Sequence, residues 1–333
     1  MPVHICNNCG TSFPDTPQPP SGCPICEDER QFMPRSGQAW TTPARLAGGR
    51  ANAWRCLEKD LFEIHTEPGF AIGQRALLLR TPQGNILWDC IALLDDATET
   101  LVRALGGLHA IAISHPHFYT CMQDWAHAFD CPVHLHAADA RWVMRPDPVL
   151  RHWDGETLEL VPNVTLLRLG GHFPGGAVLH WADGAEGRGA LLSGDIVHVA
   201  ADLNRVSFLW SYPNMMPLAG ATVRRIADTL KPWPFDRIYG AFPGRQVMAG
   251  GALAVRRSAA RYIELLEERQ RQWRHHPGRT VGADRAAVAI EAQRRFRAQI
   301  DAAPPGIAAR YRGRGATCGS LLLLNDDNVI TFL

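Results

Sequence analysis

Two histidines, His115 and His117, stand two residues apart at the end of an apolar run in "ISHPHFYTCMQDW", Ile113 to Trp125. Alternate residues of an extended segment point the same way, so this spacing aims two imidazoles at one point, as metal ligation requires. The residues that should extend such a site are Tyr119 and Thr120. That leaves three readings open: a working metal site, half of one, or the remains of one.

A second set of metal-binding residue types lies near the N-terminus. Cys6 and Cys9 in "CNNCG" and Cys23 and Cys26 in "GCPIC" form two C-x-x-C pairs with thirteen residues between them. Each pair makes a tight turn that aims two thiolates at one point, and two such turns facing each other close a tetrahedral four-sulfur site. So short a segment cannot bury a core of its own, so a metal should hold it together. The competing reading is two disulfides, against which stands an N-terminal stretch without the basic-then-apolar pattern of a secretory signal. The pattern resembles rubredoxin-type and zinc-ribbon knuckles. Zinc and iron both suit four sulfurs. A closed site has no open position, which implies a structural role, or electron transfer if iron is bound.

The elements that must position the histidines alternate strand-like runs with turns and helices. "RALLLR" and "NILWDC" read as a hairpin across "TPQG", and "LLDDATETLVRALGG" as a helix with Asp96 as its cap and Leu101, Val102 and Leu105 on its apolar face. "LHAIAIS" is a buried strand that runs straight into the histidine pair, and "CMQDWAHAFD" a short helix in which Asp124 and His127 read as ordinary helix residues. "VTLLRLGGHFPGG" ends in a glycine-rich turn that presents His172. "AVLHWAD" and "GALLSGD" form a second hairpin whose end presents Asp195. Polar residues thus recur at strand ends: Asp89, the histidine pair, His172 and Asp195. This is the arrangement of a site built on loops over a rigid sheet.

The order of these elements resembles the metallo-β-lactamase fold, which packs two β-sheets face to face between helices. Its motifs run in a set order, and "ILWDC" with Asp89, "SHPHFYT" with His115 and His117, "GGHFPGG" with His172 and "LSGD" with Asp195 match that order over roughly residues 54–244. The resemblance implies one metal held by His115, His117 and His172, with Asp195 binding or bridging. It also implies that the second metal of the family has lost its ligands, because Tyr119, Thr120 and, in "GAFPG", Phe242 stand in their positions. A phenol, a hydroxyl and a benzene ring cannot replace a carboxylate and two imidazoles on a divalent ion. The stretch therefore reads as half a site.

The 333 residues and 46% hydrophobic content suit one large α/β domain with additions, or two modest domains. No apolar run is long enough to span a bilayer, which points to a cytoplasmic protein without a membrane partner. The net charge of +1 gives no argument for nucleic acid, although Gly250 to Gly315 carries 14 Arg against 6 Asp or Glu. That basic segment reads as helices with solvated Arg faces, over "ALAVRRSAARYIELLEERQRQWR" and "DRAAVAIEAQRRF", before a hairpin around Asn325–Asn328. The five remaining cysteines read as small buried hydrophobes.

The expected architecture is α/β: a four-layer αββα metallo-β-lactamase-like sandwich with a small N-terminal metal knuckle module and a helical C-terminal extension. The expected divisions are a four-cysteine ribbon at 1–40, a linker at 41–53, the main domain at 54–249, and a basic helical extension with a terminal hairpin at 250–333, packed on the main domain. The expected ions are one zinc or iron in the cysteine site and one zinc or iron at His115, His117, His172 and Asp195. The first functional reading is a metal-dependent hydrolase with a mononuclear site and a small-molecule substrate, neutral or anionic. Asp195 would orient the attacking water or take its proton, and Tyr119 would donate to a developing oxyanion. The alternatives are a mononuclear non-haem iron oxygenase or redox protein, and a non-catalytic binding module using the ribbon and the basic tail. "FLWSYPNMMPL", Phe208 to Leu218, reads as core packing or as the wall of an apolar pocket.

Overall fold

The computed structural model describes residues 3–274, residue 294 and the short strands Leu322–Leu324 and Ile330–Phe332. Residues Met1–Leu266 form one compact unit and Glu267–Leu333 another.

Two sheets dominate the first unit. A seven-stranded sheet runs, in spatial order, Leu150–Trp153, Val133–His136, Ala110–Ala112, Ile86–Trp88, Arg75–Leu79, Leu61–Glu67 and Ala51–Glu58. A six-stranded sheet runs Thr157–Val161, Val164–Arg168, Ala177–Trp181, Ala190–Gly194, Arg237–Gly240 and Gln246–Val247. Both expected hairpins are present as antiparallel pairs, Arg75–Leu79 with Ile86–Trp88 and Ala177–Trp181 with Ala190–Gly194.

Side-chain alternation explains why the sheets stack. Successive residues of a strand face opposite sides. Leu77 and Leu79 point into a core shared with Leu166, Leu179 and Leu192 of the other sheet, while Ala76 and Leu78 point the other way. Each sheet is thus buried on both faces, and helices cover the outer ones. Met122–Phe129 lays Met122, Trp125 and Phe129 on the first sheet. Gly220–Leu230 lays Val223, Ile226 and Leu230 on the second, joined by Ala254, Val255, Ala259 and Ile263 of the helix Gly251–Arg274. The result is the αββα sandwich.

Three local expectations need correction. The helix Asp96–Ala104 is capped by Asp95, not Asp96: the extended Asp95 backbone lets its carboxylate accept from Thr98 N at 2.7 Å, and its other oxygen accepts from Asn52 N at 2.7 Å. Leu101 is 46% exposed, so only Val102 of the expected face is fully buried. The segment 41–53 is folded and not a linker. Trp40–Thr41 pairs with the ribbon strand His4–Cys6, Thr42 caps the helix Pro43–Ala47, and the edge strand of the large sheet begins at Ala51.

Asp124 and His127 are ordinary helix residues, paired with Arg145 and Asp147 at the surface. The strands Leu322–Leu324 and Ile330–Phe332 pair antiparallel, as the terminal hairpin requires. Its turn, Cys318 and nearly all of the expected helix at 284–296 lie outside the described residues. Among those described, no helix is long and apolar enough to cross a membrane.

Candidate metal centres

The ribbon folds around its four cysteines. The strands His4–Cys6 and Ser12–Phe13 form one knuckle, and the single helical turn Pro24–Glu27 forms the other. Cys6 Sγ lies 3.7 Å from Cys26 Sγ, and Cys9 Sγ lies 3.7 Å from Cys23 Sγ. A disulfide would need about 2.05 Å. Four thiolates around one zinc at ~2.3 Å stand about 3.8 Å apart along each tetrahedral edge, so the spacing fits one ion and excludes two bridges. All four cysteines are buried. Asn8 Nδ2 donates to Cys26 Sγ at 3.3 Å and Gln38 Nε2 donates to Cys6 Sγ at 3.2 Å, as suits sulfurs that carry charge. Bonding from the Cys23 thiol holds Cys6 well below the ordinary thiol range, while Cys9 and Cys23 are pushed well above it, chiefly by bonding to Cys23 and Cys26 respectively. Four thiols packed this closely cannot all ionise unless a cation joins them.

The ligands of the second cluster come from three strand ends, and Asp89 at a fourth braces them. The strand Ala110–Ala112 delivers His115 and His117 into a 3₁₀ turn at Pro116–Phe118. Asp89 holds that turn: its carboxylate accepts from Ser114 N at 2.8 Å, from a left-handed backbone at φ 59°. Burial pushes the Asp89 carboxyl up to about 7. His172 follows Gly170 and Gly171, both in the left-handed region at φ 61° and 84°, which turns the chain back over the sheet. The strand Ala190–Gly194 delivers Asp195; a Cβ on Gly194 would meet Ser114 Oγ at 2.6 Å, so the two strand ends approach as only glycine permits. One ligand atom from each of His115, His117, His172 and Asp195 lies within 4.8 Å of every other.

The hydrogen bonds of these rings fit a metal. His172 Nδ1 donates to Trp210 O at 2.7 Å, which leaves its Nε2 lone pair facing inward. His115 Nδ1 is 2.9 Å from Ser114 Oγ, and its buried Nε2 has no partner. His172 Nε2 lies 3.2 Å from His117 Nδ1, against about 3.3 Å for the edge of a tetrahedron with metal–nitrogen distances of ~2.0 Å. Burial first, and the neighbouring imidazoles second, push His115 and His117 well below the ordinary histidine range; burial also lowers His172. Neutral imidazoles are the form that binds metal.

The positions at which the resemblance implies lost second-ion ligands serve other roles. Thr120 is buried at φ 33°, its carbonyl accepting from Ser12 N of the ribbon at 2.9 Å. Tyr119 is 2% exposed and does not line the cavity beside the cluster. The phenol that lines it is Tyr212, whose hydroxyl donates to Asp195 O at 2.6 Å. Phe242 also faces this cavity. The Phe208–Leu218 stretch divides its duties: Phe208 is in the core, Tyr212 and Pro213 line the cavity, and Met215 at the tip is 81% exposed.

The cavity is about 280 Å³ and reaches His117, His172 and Asp195. Its opposite wall is the ribbon: Asn8, Arg30, Gln31 and Phe32. Sequence reasoning missed this wall, whose one local signal was the polar run "EDERQ" directly after Cys26. It also missed His198, three residues beyond Asp195, whose Nδ1 lies 3.3 Å from Asp195 Oδ1 and whose ring packs 4.5 Å from that of Tyr212.

No protein-family model matches the chain. Among solved structures, it is similar to the DIM-1 metallo-β-lactamase, at 14% identity and a TM-score of 0.49, over 65% of this chain and 98% of that one. It is also similar to the mono-zinc form of the FIM-1 metallo-β-lactamase from Pseudomonas aeruginosa, at 13% identity and a TM-score of 0.47, over 65% of this chain and 96% of that one. In sequence it is 49% identical over 268 residues, 80% of this chain and 97% of the relative, to the uncharacterized protein YmaE of Bacillus subtilis (strain 168). At that identity and coverage the chain belongs to the family of YmaE.

Proposed function

We propose that this protein is a metal-dependent hydrolase of the metallo-β-lactamase fold that works with one ion at His115, His117, His172 and Asp195. The observation that carries this reading is that a four-ligand cluster, with His115 Nε2 buried and unpartnered and His172 Nε2 set 3.2 Å from His117 Nδ1, opens onto a cavity of small-molecule size. An ion there would make a water nucleophilic near neutral pH and polarise the oxygen of a scissile carbonyl or phosphoryl group.

The protein's own residues orient and enclose the reaction. His198 Nδ1 lies beside Asp195 Oδ1 of the carboxylate that would orient the water, and the Tyr212 hydroxyl donates to the Asp195 backbone carbonyl and steadies the chain that carries it. Phe32, Pro213 and Phe242 give the cavity an apolar mouth. Arg30 is the cation in the wall, but both Asp28 oxygens already accept from it, so the wall offers little net charge to an anion. Tyr119, buried and with its phenol pushed up by burial, supports the core of the site and not the oxyanion. The fitting substrates are small uncharged esters, thioesters or lactones.

Elemental analysis and a panel of chromogenic substrates test the reading. The wild type should carry two metal equivalents and hydrolyse at least one substrate class. His172→Ala should lose one equivalent together with the activity. A wild type holding only the cysteine-bound ion, or hydrolysis that survives in His172→Ala, overturns it. The same analysis separates zinc from iron, which three imidazoles and a carboxylate also suit.

A further inference from the structure

The ribbon does more than wall the cavity; its segment Asp28–Phe32 is tied to the residues that hold His172. The Arg30 guanidinium is gripped by Asp28 through Nε and Nη2, at 2.5 and 2.9 Å, and donates from Nη1 to His172 O at 3.3 Å. Its Cζ lies 4.0 Å from the Phe173 ring centre and 4.5 Å from that of Trp210. It is only 3% exposed.

The hairpin of Leu209–Ser211 and Met216–Pro217, whose Trp210 O accepts from His172 Nδ1, is strapped to the same segment. Trp210 Nε1 donates to Glu29 Oε1 at 2.9 Å, and Ser211 Oγ donates to Arg30 O at 3.2 Å. Asn214 Nδ2 donates to Glu29 O and Gln31 O at 2.9 and 3.1 Å. Trp210 O is the atom that fixes the His172 tautomer. His172 is thus held from both sides, at its carbonyl by Arg30 and at its ring by a hairpin the ribbon restrains. Asp28 lies two residues after Cys26, so the knuckle and this grip share one short stretch of chain.

We propose that Arg30 is a positioning residue for His172, and that the cysteine-bound ion, by folding the segment that carries Arg30, sets the affinity of the His/Asp site for its own ion. The proposal rests on the reading that this cluster holds an ion, and makes the ribbon an integral part of that site. Groups that orient a ligand histidine are worth about 10–100-fold in metal affinity. By linkage the coupling is reciprocal in free energy, but a four-thiolate site is too tight for a loss of that size to empty it.

The test is zinc affinity, measured by chelator competition on the full-length protein, with no substrate present. Arg30→Lys keeps a cation over the Phe173 ring but loses the planar fork that reaches Asp28 and His172 O together. Trp210→Phe keeps the ring and removes the bond to Glu29. In Arg30→Lys the His/Asp ion should bind about 10–100-fold more weakly while the cysteine ion stays at one equivalent; Trp210→Phe should shift in the same direction by less. If both variants bind two ions as tightly as wild type, the proposal fails and the proposed function stands. If Arg30→Lys also loses the cysteine ion, Trp210→Phe decides. If wild type binds only the cysteine ion, both fall. If wild type binds two ions but hydrolyses nothing, only the hydrolase reading falls.

Discussion

The two metal clusters have four ligands each and are equally buried, yet they are built in opposite ways. The cysteine site comes from one stretch, Cys6 to Cys26, and is closed. All four of its ligands are protein sulfurs, and the nearby donors are amides. The His/Asp site draws on strand ends from His115 to Asp195 and opens onto a cavity. A closed site made of local chain stores folding energy; an open site on a rigid scaffold leaves room for a reactant. The ribbon joins the two, because its cysteines share a hydrophobic core with Ile111, Tyr119 and Trp125 of the main domain.

The largest expected effect is on the closed site. Cys23→Ser leaves three sulfurs, and the folding free energy at stake for a structural ion is on the order of 10 kcal/mol. The variant should lose its cysteine-bound equivalent, and limited proteolysis should cut the N-terminal segment that survives in wild type. Its His/Asp site should weaken as well, whereas His172→Ala should leave the ribbon metallated. Full metal content in Cys23→Ser would erase the distinction between the two sites.

The same contrast decides how much was legible in advance. The cysteine site could be read from spacing alone, because its geometry is set within one short segment and hardly depends on the rest of the fold. The His/Asp cluster could be read only from the order of its motifs: nothing local to Gly170–Gly171–His172 says that it will meet His117, 55 residues earlier. The sandwich was legible through that same motif order, because the apolar runs and the polar residues at their ends are local, while the pairing of the two sheets is not. The cap at Asp95 was missed by one position, since two adjacent aspartates offer the same chemistry and a tertiary bond from Asn52 selects between them. Arg30 was invisible, because its partner His172 lies 142 residues away and a polar run after a knuckle usually faces water.

A difference in pH response should follow next. Beside the His172 turn, Asp139 is buried, its Oδ1 has no partner, and burial pushes its carboxyl up to about 6. The unfolded value is about 3.9. The folded state therefore binds the proton more tightly, so this stabilising contribution is full below about pH 4 and is lost as pH rises through about 6. The shift is worth about 3 kcal/mol. Asp139→Asn keeps the shape and cannot ionise. Relative to wild type it should gain stability between pH 5 and pH 8, by urea unfolding, with no change in the cysteine-bound ion. Parallel stability curves for the two proteins would show that Asp139 is solvated or paired in solution.

The smallest effect probes the boundary between the two regions. Thr120 holds a position where the family resemblance puts a second-ion ligand, yet it lies under the ribbon. Its carbonyl accepts from Ser12 N at 2.9 Å, and a Cβ on Gly10 would already stand 3.4 Å from its methyl group. An imidazole is larger than this space, and overpacking a tight contact costs ~1–3 kcal/mol. Thr120→His alone should therefore lower stability by about 2 kcal/mol and add no metal. Combined with Tyr119→Asp and Phe242→His it restores the ligand types for a second ion in the open site. The ribbon still occupies the space, so the triple variant should hold two ions in total, one per cluster. A third equivalent, with the cysteine-bound ion retained, would mean that ligand loss alone, and not the seated ribbon, keeps the open site mononuclear.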